Sequence, residues 1–581
     1  MDARSEAVSD TSTDQRPAAG RTAWRAALLL GLLALSGAAL MARAMDLQIR
    51  DHEFLQGQGD ARHLRLAELP AHRGAIVDRH GEPIAMSAPV DSAWADPAVL
   101  ASASGRLPAL ARVLGLDPRR LARELERRSG QSFFYLRRHL EPELARQVRE
   151  LGIPGVYLRR EYRRFYPSGE VAAHLLGFTN IDDRGQEGLE LAYDHWLRGE
   201  PGAKRVLRDN RGHIVEDVER LRAPQPGRDL ALAIDRRLQY LAYRELKAAV
   251  QRHRARSGSL VLLDVATGEV LAMVNQPAFN PNDRSQIEAR RTRNRAVTDV
   301  FEPGSTIKPF TVAAALQSGR YAPHTAVDTS PGVLRVGRER VRDIRDYGRI
   351  DVATVIRKSS NVGAARIALD LPEGSVWRQL GGLGFGRSTG SGFPGEAAGH
   401  LAAMPPRRPI ERATLAFGYG VSATPLQLAQ AYGVLAADGL LRPVSLLRRD
   451  QAPAGERVLP AATARAVRRM METVVSPGGT APKAAVPGYR VAGKTGTVRK
   501  PVPGGYAEDR YVAMFAGMAP AAQPRFVMAV IIDEPQGQDY YGGQVAAPVF
   551  AAVMAGALRL RDVAPEALPA EPPLVASRGQ P

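Results

Sequence analysis

The chain has 581 residues, enough for two to four domains with real cores, and its 44% hydrophobic and 24% charged residues exclude a fibrous or disordered protein. Cysteine is absent, which excludes disulfides, thiolate nucleophiles and cysteine-bound metals. The net charge of +18 suits an anionic membrane or wall polymer; with no RNP-like aromatics, zinc-finger spacing or basic block on one helix, nucleic acid is set aside as a partner.

Residues 26–42, AALLLGLLALSGAALMA, carry no charge over 17 positions. That is the short end of a bilayer-spanning helix, and Trp24, Arg25 and Arg43 are placed to sit at its interfaces. Ala42-Arg43-Ala44 resembles a signal-peptidase site, which is the rival reading. The apolar run is longer than a usual signal core, so the sequence predicts a cytoplasmic tail over 1–22 and an uncleaved anchor over 23–45. Everything after it then lies outside the cytoplasm.

From 46 to 226 the pattern is mixed and predicts a separate pedestal domain. RGAIVDRHGEPIA (73–85) reads as short strands around a His80-Gly81 turn, and 107–128 and 141–151 have helical spacing. APQPGRD (223–229) is a turn-rich hinge. A large domain follows over 228–560. Asp235 is placed to cap a helix with Leu238, Leu241, Ala242 and Leu246 on one face. SLVLLDVATGEVLAMV (259–274) predicts two strands joined at Ala266-Thr267-Gly268, and YVAMFAGMAP (511–520) and RFVMAVIID (525–533) predict two more. Helical segments at 305–318, 351–370, 425–437 and 462–474 lie between them. Strands at both ends with helices in the middle predict an α+β fold whose antiparallel sheet pairs distant segments. The Pro/Ala-rich tail, 561–581, is expected to be disordered.

Three stretches carry chemistry. FEPGSTIKPF (301–310) puts Ser305 and Lys308 three apart at a helix start, neighbours on one face. The chain has seven lysines against 72 arginines, so a lysine marks a place where an amine able to lose its proton is wanted. A serine hydroxyl needs such a base to become a nucleophile. Pro309 cannot donate to the Ser305 carbonyl, which predicts an irregular first turn. IRKSSNVGAARIA (356–368) interrupts a helix at Ser359-Ser360-Asn361, offering a hydroxyl relay and an amide with both donor and acceptor. Taken singly, a capping serine with an exposed lysine and an ordinary inter-helix turn explain these two stretches better.

GYRVAGKTGTVRKP (488–501) matches G-x-x-x-x-G-K-[ST] letter for letter, the phosphate-binding loop. That loop must open a helix, whereas β-branched residues and prolines follow here, so the nucleotide reading is rejected. Residues 489–491 read as strand instead. Lys494, Thr495, Gly496 and Thr497 then present an ammonium for a carboxylate, hydroxyls beside it, and a glycine permitting close backbone approach, as in a strand that accepts an extended peptide.

The order S-x-x-K, S-x-N, K-T-G-T resembles that of the penicillin-recognising serine acyltransferases. With RGAIVDRHG (73–81), FYPSGE (165–170), GQEGLE (185–190), KSSNVG (358–363) and FGYG (417–420), the chain is similar to the class B penicillin-binding proteins. Within them it most resembles the septal, cell-division transpeptidases of Gram-negative bacteria, from the anchor to about residue 560. The resemblance implies a transpeptidase fold, with an antiparallel five-stranded sheet and helices, after a pedestal or dimerisation domain. It implies that Ser305 is acylated by a D-alanyl-D-alanine stem peptide, Lys308 takes its proton, and Ser359 relays a proton to the leaving D-alanine. Asn361 would hold the substrate amide, and Lys494, Thr495 and Thr497 its carboxylate. The N–H groups of Ser305 and Thr497 would form the oxyanion hole. No cofactor or metal is implied. Implied partners are wall stem peptides, the lipid-linked precursor, divisome membrane proteins including a septal glycosyltransferase, and β-lactams as inhibitors, with the catalytic domain in the periplasm. A β-lactamase, a D,D-carboxypeptidase, an elongation enzyme and a non-enzymatic scaffold or β-lactam sensor are the competing readings. The anchor and the lack of an E-x-x-L-N-like glutamate argue against the first, and the intact motifs against the last.

Overall fold

The computed structural model describes residues 20–47, 64–208 and 214–566. Helix α1 (Gly20–Met45) carries the apolar run, and Leu28 to Leu35 and Met41 are exposed on all sides of it. A helix apolar all round, left unburied over Ala27–Met45 by the described residues, fits a single-pass anchor in lipid. Strand β1 (Leu64–Leu69) belongs to the same compact unit, which takes in residues 1–69 and 202–223.

The second unit, 70–201 and 224–581, starts with β2 (Ile76–Val77) and β3 (Pro83–Ala95), joined through the expected turn, with Gly81 at φ +85°. Helical spacing over 107–128 resolves into two helices, α2 (Leu107–Leu114) and α3 (Pro118–Arg127). Gly115 turns left-handed at φ +64°, and Asp117 caps α3 by accepting from the Arg120 N–H. The apolar spacing continues across that break, which hid it. Strands β4 (Phe134–Leu140) and β5 (Val156–Phe165) pair with β3 on either side of α4 (Pro142–Leu151) in the chain. Leu110, Leu114, Leu121, Leu125 and Val148 pack against Ala93 and Ala95.

Two of the stretches quoted above, 73–81 and 185–190, meet the arginine just before a third, Arg164, in one buried ion cluster. Glu190, fully buried, accepts Arg73 Nη2 at 2.7 Å on one oxygen and Arg164 Nε at 2.6 Å on the other. Arg73 Nη1 also reaches Asp194 at 2.7 Å. Removing one partner leaves buried charge uncompensated, so Glu190→Ala is expected to destabilise the chain by ~3–5 kcal/mol, visible as a lower melting temperature. An unchanged melting temperature would show that the cluster contributes nothing.

Strands β6 (Gly202–Arg208) and β7 (Ile214–Arg222) complete a three-stranded antiparallel sheet with β1 in the first unit, β6 in the middle. In the second unit β8 (Leu230–Ala231) pairs parallel to β2. Asp235 caps α5 (Arg236–Arg252) as expected, accepting from the Arg237 N–H, and Leu238, Ala242 and Leu246 are buried. Strands β9 (Ser257–Asp264) and β10 (Val270–Gln276) form the expected hairpin. Every residue of both is buried, so the sheet is covered on two faces. The functional stretches then lie on α6 (Lys308–Gln317), a small hairpin β11 (Val333–Val336) and β12 (Glu339–Arg342), and helices α7 (Val352–Lys358) and α8 (Asn361–Asp370). Helices α9 (Pro425–Ala436) and α10 (Ala461–Val475) precede the last three strands, β13 (Ala492–Val502), β14 (Gly505–Ala519) and β15 (Phe526–Asp533). Helix α11 (Ala547–Leu560) closes the domain by packing on α5.

The sheet order is β10-β9-β15-β14-β13, five strands and all antiparallel. Strand β13 is therefore an edge, where Pro501 needs no ladder donor. It begins at Ala492; 489–491 precede it as a turn and its exit rather than strand. Order also extends past α11 into the expected tail: Glu566 accepts from the Arg490 and Ala522 N–H groups, both at 3.0 Å. The rest of that tail, and most of the expected cytoplasmic one, lie outside the described residues.

Candidate active site

Ser305 follows Gly304, whose φ of +51° suits glycine, on a 3-10 turn over Gly304–Ile307. The α-helical pattern starts only at Lys308, next to Pro309, which is the irregular first turn the proline demands. The turn is pinned from two sides. Thr306 Oγ1 donates to the Pro303 carbonyl at 2.6 Å, and the Thr306 carbonyl accepts from the buried Tyr432 hydroxyl at 2.8 Å. Gly418 of FGYG lies so close that a Cβ there would fall 2.1 Å from the Gly304 oxygen.

Lys308 is completely buried. Its Nζ lies 3.0 Å from Ser305 Oγ, 2.8 Å from Asn361 Oδ1, 2.5 Å from the Ser359 carbonyl and 3.1 Å from Ser359 Oγ. Burial lowers its pKa from 10.5 to about 7, while the Asp343 charge pulls the other way. A neutral amine can donate to the Ser359 carbonyl and to Asn361 Oδ1 and keep its lone pair for the Ser305 proton.

Helix α7 ends where Ser359 turns left-handed at φ +59°, a conformation strained for a non-glycine residue. Ser360 then caps α8, accepting from the Gly363 N–H at 2.8 Å. The kink brings Ser359 Oγ within reach of two amines: Lys494 Nζ donates to it at 2.9 Å, and Lys308 Nζ at 3.1 Å. Lys494 is also fully buried, and desolvation, then the Lys308 charge, push its pKa well below the ordinary lysine value. Neither lysine has a salt bridge among the described residues, so the cleft is short of negative charge. Lys358, the third lysine nearby, turns away and donates to the Gly478 carbonyl at 2.8 Å.

Thr495 Oγ1 hydrogen-bonds Thr480 Oγ1 at 2.8 Å, and Thr497 Oγ1 accepts from the Gly542 N–H at 3.0 Å, leaving its own proton to donate. Gly496 does permit close approach, but of the chain's own groups. A Cβ there would sit 2.5 Å from Met514 Cγ, and its carbonyl lies against Gly542. All eight expected residues thus converge on the edge of β13 and the starts of α6 and α8. Sequence reasoning gave no role to Thr480 and Gly542, and took Gly418 only as part of FGYG; what each of them touches is set by the tertiary fold.

The comparisons with known proteins agree with this architecture. Residues 258–555 match the penicillin binding protein transpeptidase domain, and 68–232 match the penicillin-binding protein dimerisation domain. The peptidoglycan D,D-transpeptidase FtsI of Escherichia coli K12 is 44% identical over 550 residues, 94% of this chain and 93% of that one. The probable peptidoglycan D,D-transpeptidase PenA of Neisseria meningitidis serogroup B is 43% identical over 93% of each. Among solved structures, the transpeptidase domain of Burkholderia pseudomallei penicillin-binding protein 3 is 45% identical with a TM-score of 0.54, covering 58% of this chain and 98% of its own. Penicillin binding protein 3 of Mycobacterium tuberculosis, complexed with aztreonam, is 28% identical with a TM-score of 0.67 over 86% and 98%. With its amine-flanked serine set at the open edge of a five-stranded sheet, and with both domains matched in order, the chain belongs to the class B penicillin-binding proteins.

Proposed function

We propose that this member cross-links peptidoglycan at the division septum through an acyl-enzyme on Ser305. The observation that carries the reading is the completely buried Lys308 amine 3.0 Å from the Ser305 hydroxyl. A stem peptide ending in D-alanyl-D-alanine lies extended along the edge of β13, its terminal carboxylate held by Lys494 and the hydroxyls of Thr495 and Thr497. Asn361 holds the peptide amide. Ser305 Oγ attacks the penultimate carbonyl as its proton passes to Lys308, and the N–H groups of Ser305 and Thr497 receive the negative oxygen. The C–N bond breaks as Ser359 Oγ, replenished from the flanking amines, delivers a proton to the departing D-alanine. An amine of a second stem then attacks the ester, gives up its proton, and restores the Ser305 hydroxyl with the new amide formed.

The septal assignment rests on the relatives named above. It carries with it a tail in the cytoplasm, a single inner-membrane span, a pedestal and transpeptidase domain in the periplasm, and divisome partners that include a glycosyltransferase. A fluorescent fusion gathered at mid-cell supports it, and one spread along the side wall points to elongation.

The chemistry predicts its own pH dependence. Only neutral Lys308 can accept the Ser305 proton, and its pKa is lowered to about 7. Acylation by fluorescent penicillin should therefore be near its plateau above that pH and fall about tenfold per unit well below it. A flat rate from pH 5 to 9 would remove Lys308 as the base.

A further inference from the structure

Nothing above assigns a task to Asp343, which leaves the β11–β12 hairpin immediately after Arg342. Its backbone is tied to the start of the hairpin, the Asp343 N–H donating to the Gly332 carbonyl at 2.9 Å. Its carboxylate faces the first turn of α8. One oxygen accepts the Asn361 N–H at 2.5 Å and the Val362 N–H at 3.1 Å, and the other accepts the Ser360 hydroxyl at 2.5 Å. With Ser360 Oγ serving the Gly363 N–H, three of the N–H groups that a helix start leaves unpaired are thus satisfied, and an anion sits where the helix dipole favours it.

The same hairpin exit also orients the Asn361 side chain. Its Nδ2 donates to the Arg342 carbonyl at 3.1 Å, which leaves Oδ1 facing Lys308 Nζ at 2.8 Å. Asn361 is therefore held at three points, two of them supplied by residues 342 and 343. We propose that Asp343 is a positioning residue for acylation: it locks the Ser359–Ser360–Asn361 turn in the shape that meets Lys308, and supplies the negative charge that, among the described residues, acts on that amine.

The charged groups around Lys308 are few among the described residues. Lys494 faces it from β13 and Asp343 from the hairpin, while the Ser305 and Ser359 side chains are neutral. Tyr347 and Arg345 lie near Asp343, in the loop that follows the hairpin, with the Arg345 guanidinium 5.3 Å from the Tyr347 ring centre. The Asp343 charge favours the Lys308 ammonium and opposes the effect of burial. Removing that charge should make the amine a weaker base that becomes neutral at lower pH. A purely structural role would slow acylation without moving its pH midpoint.

The test is a time course of labelling by fluorescent penicillin between pH 5 and 9, on the full chain in detergent, and it rests on the acyl-enzyme reading above. Asp343→Ala should acylate roughly 10–100-fold more slowly, the scale of a misplaced catalytic group. Asp343→Asn keeps an oxygen for the two N–H groups but loses the charge. It should stay closer to the unaltered rate and move the acid midpoint down by roughly half to one pH unit. An Asn variant whose midpoint coincides with that of the unaltered chain overturns the proposal, as does an Ala variant that labels at the unaltered rate. Should the Ala variant fail to fold, the midpoint of the Asn variant decides alone. Absence of labelling in the unaltered chain overturns the acyl-enzyme reading, and this proposal with it.

Discussion

Lys308→Arg should slow acylation by penicillin ~10²–10⁴-fold, the contribution expected of a general base. Arginine keeps the positive charge but stays protonated, so it cannot take the Ser305 proton. Lysine was already conspicuous here, seven residues against 72 arginines. The structure adds that this one is sealed from water, with Ser305 Oγ within 3.0 Å. Because the pocket leaves little room for a guanidinium, Lys308→Met is the companion variant: uncharged, unbranched and unable to accept a proton. If Lys308 acts as base, both variants lose acylation; if it only supplies charge, the Met variant loses it and the Arg variant does not. A thermal melt confirms that each is folded. The corresponding Lys494→Arg change is expected to impair labelling too, although a carboxylate grip alone would tolerate it, because Lys494 is equally buried.

Gly418→Ala should be nearly as damaging from outside the reacting groups. Gly418 has φ +88°, and a Cβ there would stand 2.1 Å from the Gly304 oxygen and 2.5 Å from its nitrogen. Backbone is the obstacle, so something must shift, and what shifts is the turn carrying Ser305. A displacement of about 1 Å at a nucleophile can cost about 10²-fold in rate. Gly420, two residues on, is the control. Its φ of +75° imposes similar strain, but a Cβ would meet nothing within 4 Å. Gly420→Ala should therefore lose stability and keep most of its acylation rate. Equal effects of the two substitutions on the rate would trace the loss to backbone strain alone.

Local signals foretold much of this molecule and long-range ones did not. The β9–β10 hairpin, the Asp235 cap and the broken helix at Ser359 follow from turn chemistry and periodicity, which act over a few residues. The rejection of the phosphate loop also held, since Lys494 lies within strand β13. By contrast Arg73 meets Glu190 from 117 residues away, and Asp343 reads in sequence as one more acid in an arginine-rich run. Only the partners they meet in the folded chain distinguish such residues, and those are decided by the whole fold. The split at Gly115 was missed because Leu110, Leu114, Leu121 and Leu125 keep facing one core across it.

The pairing of β9 with β15 bears on how the enzyme comes into being. Arg256 and Glu534, linked at the end of that pair, are 278 residues apart, and β13 attaches to the rest of the sheet only through β14. A chain emerging N-terminus first holds β9 with one flank unpaired until nearly the last residues of the domain appear. Contacts so distant make sheet closure a late event in folding. Lys494, on β13, reaches its place beside Ser359 only when that sheet has formed, so the cleft is incomplete until then. Reactivity towards penicillin should thus switch on with sheet closure, so that pulse labelling of newly made chains would time their maturation.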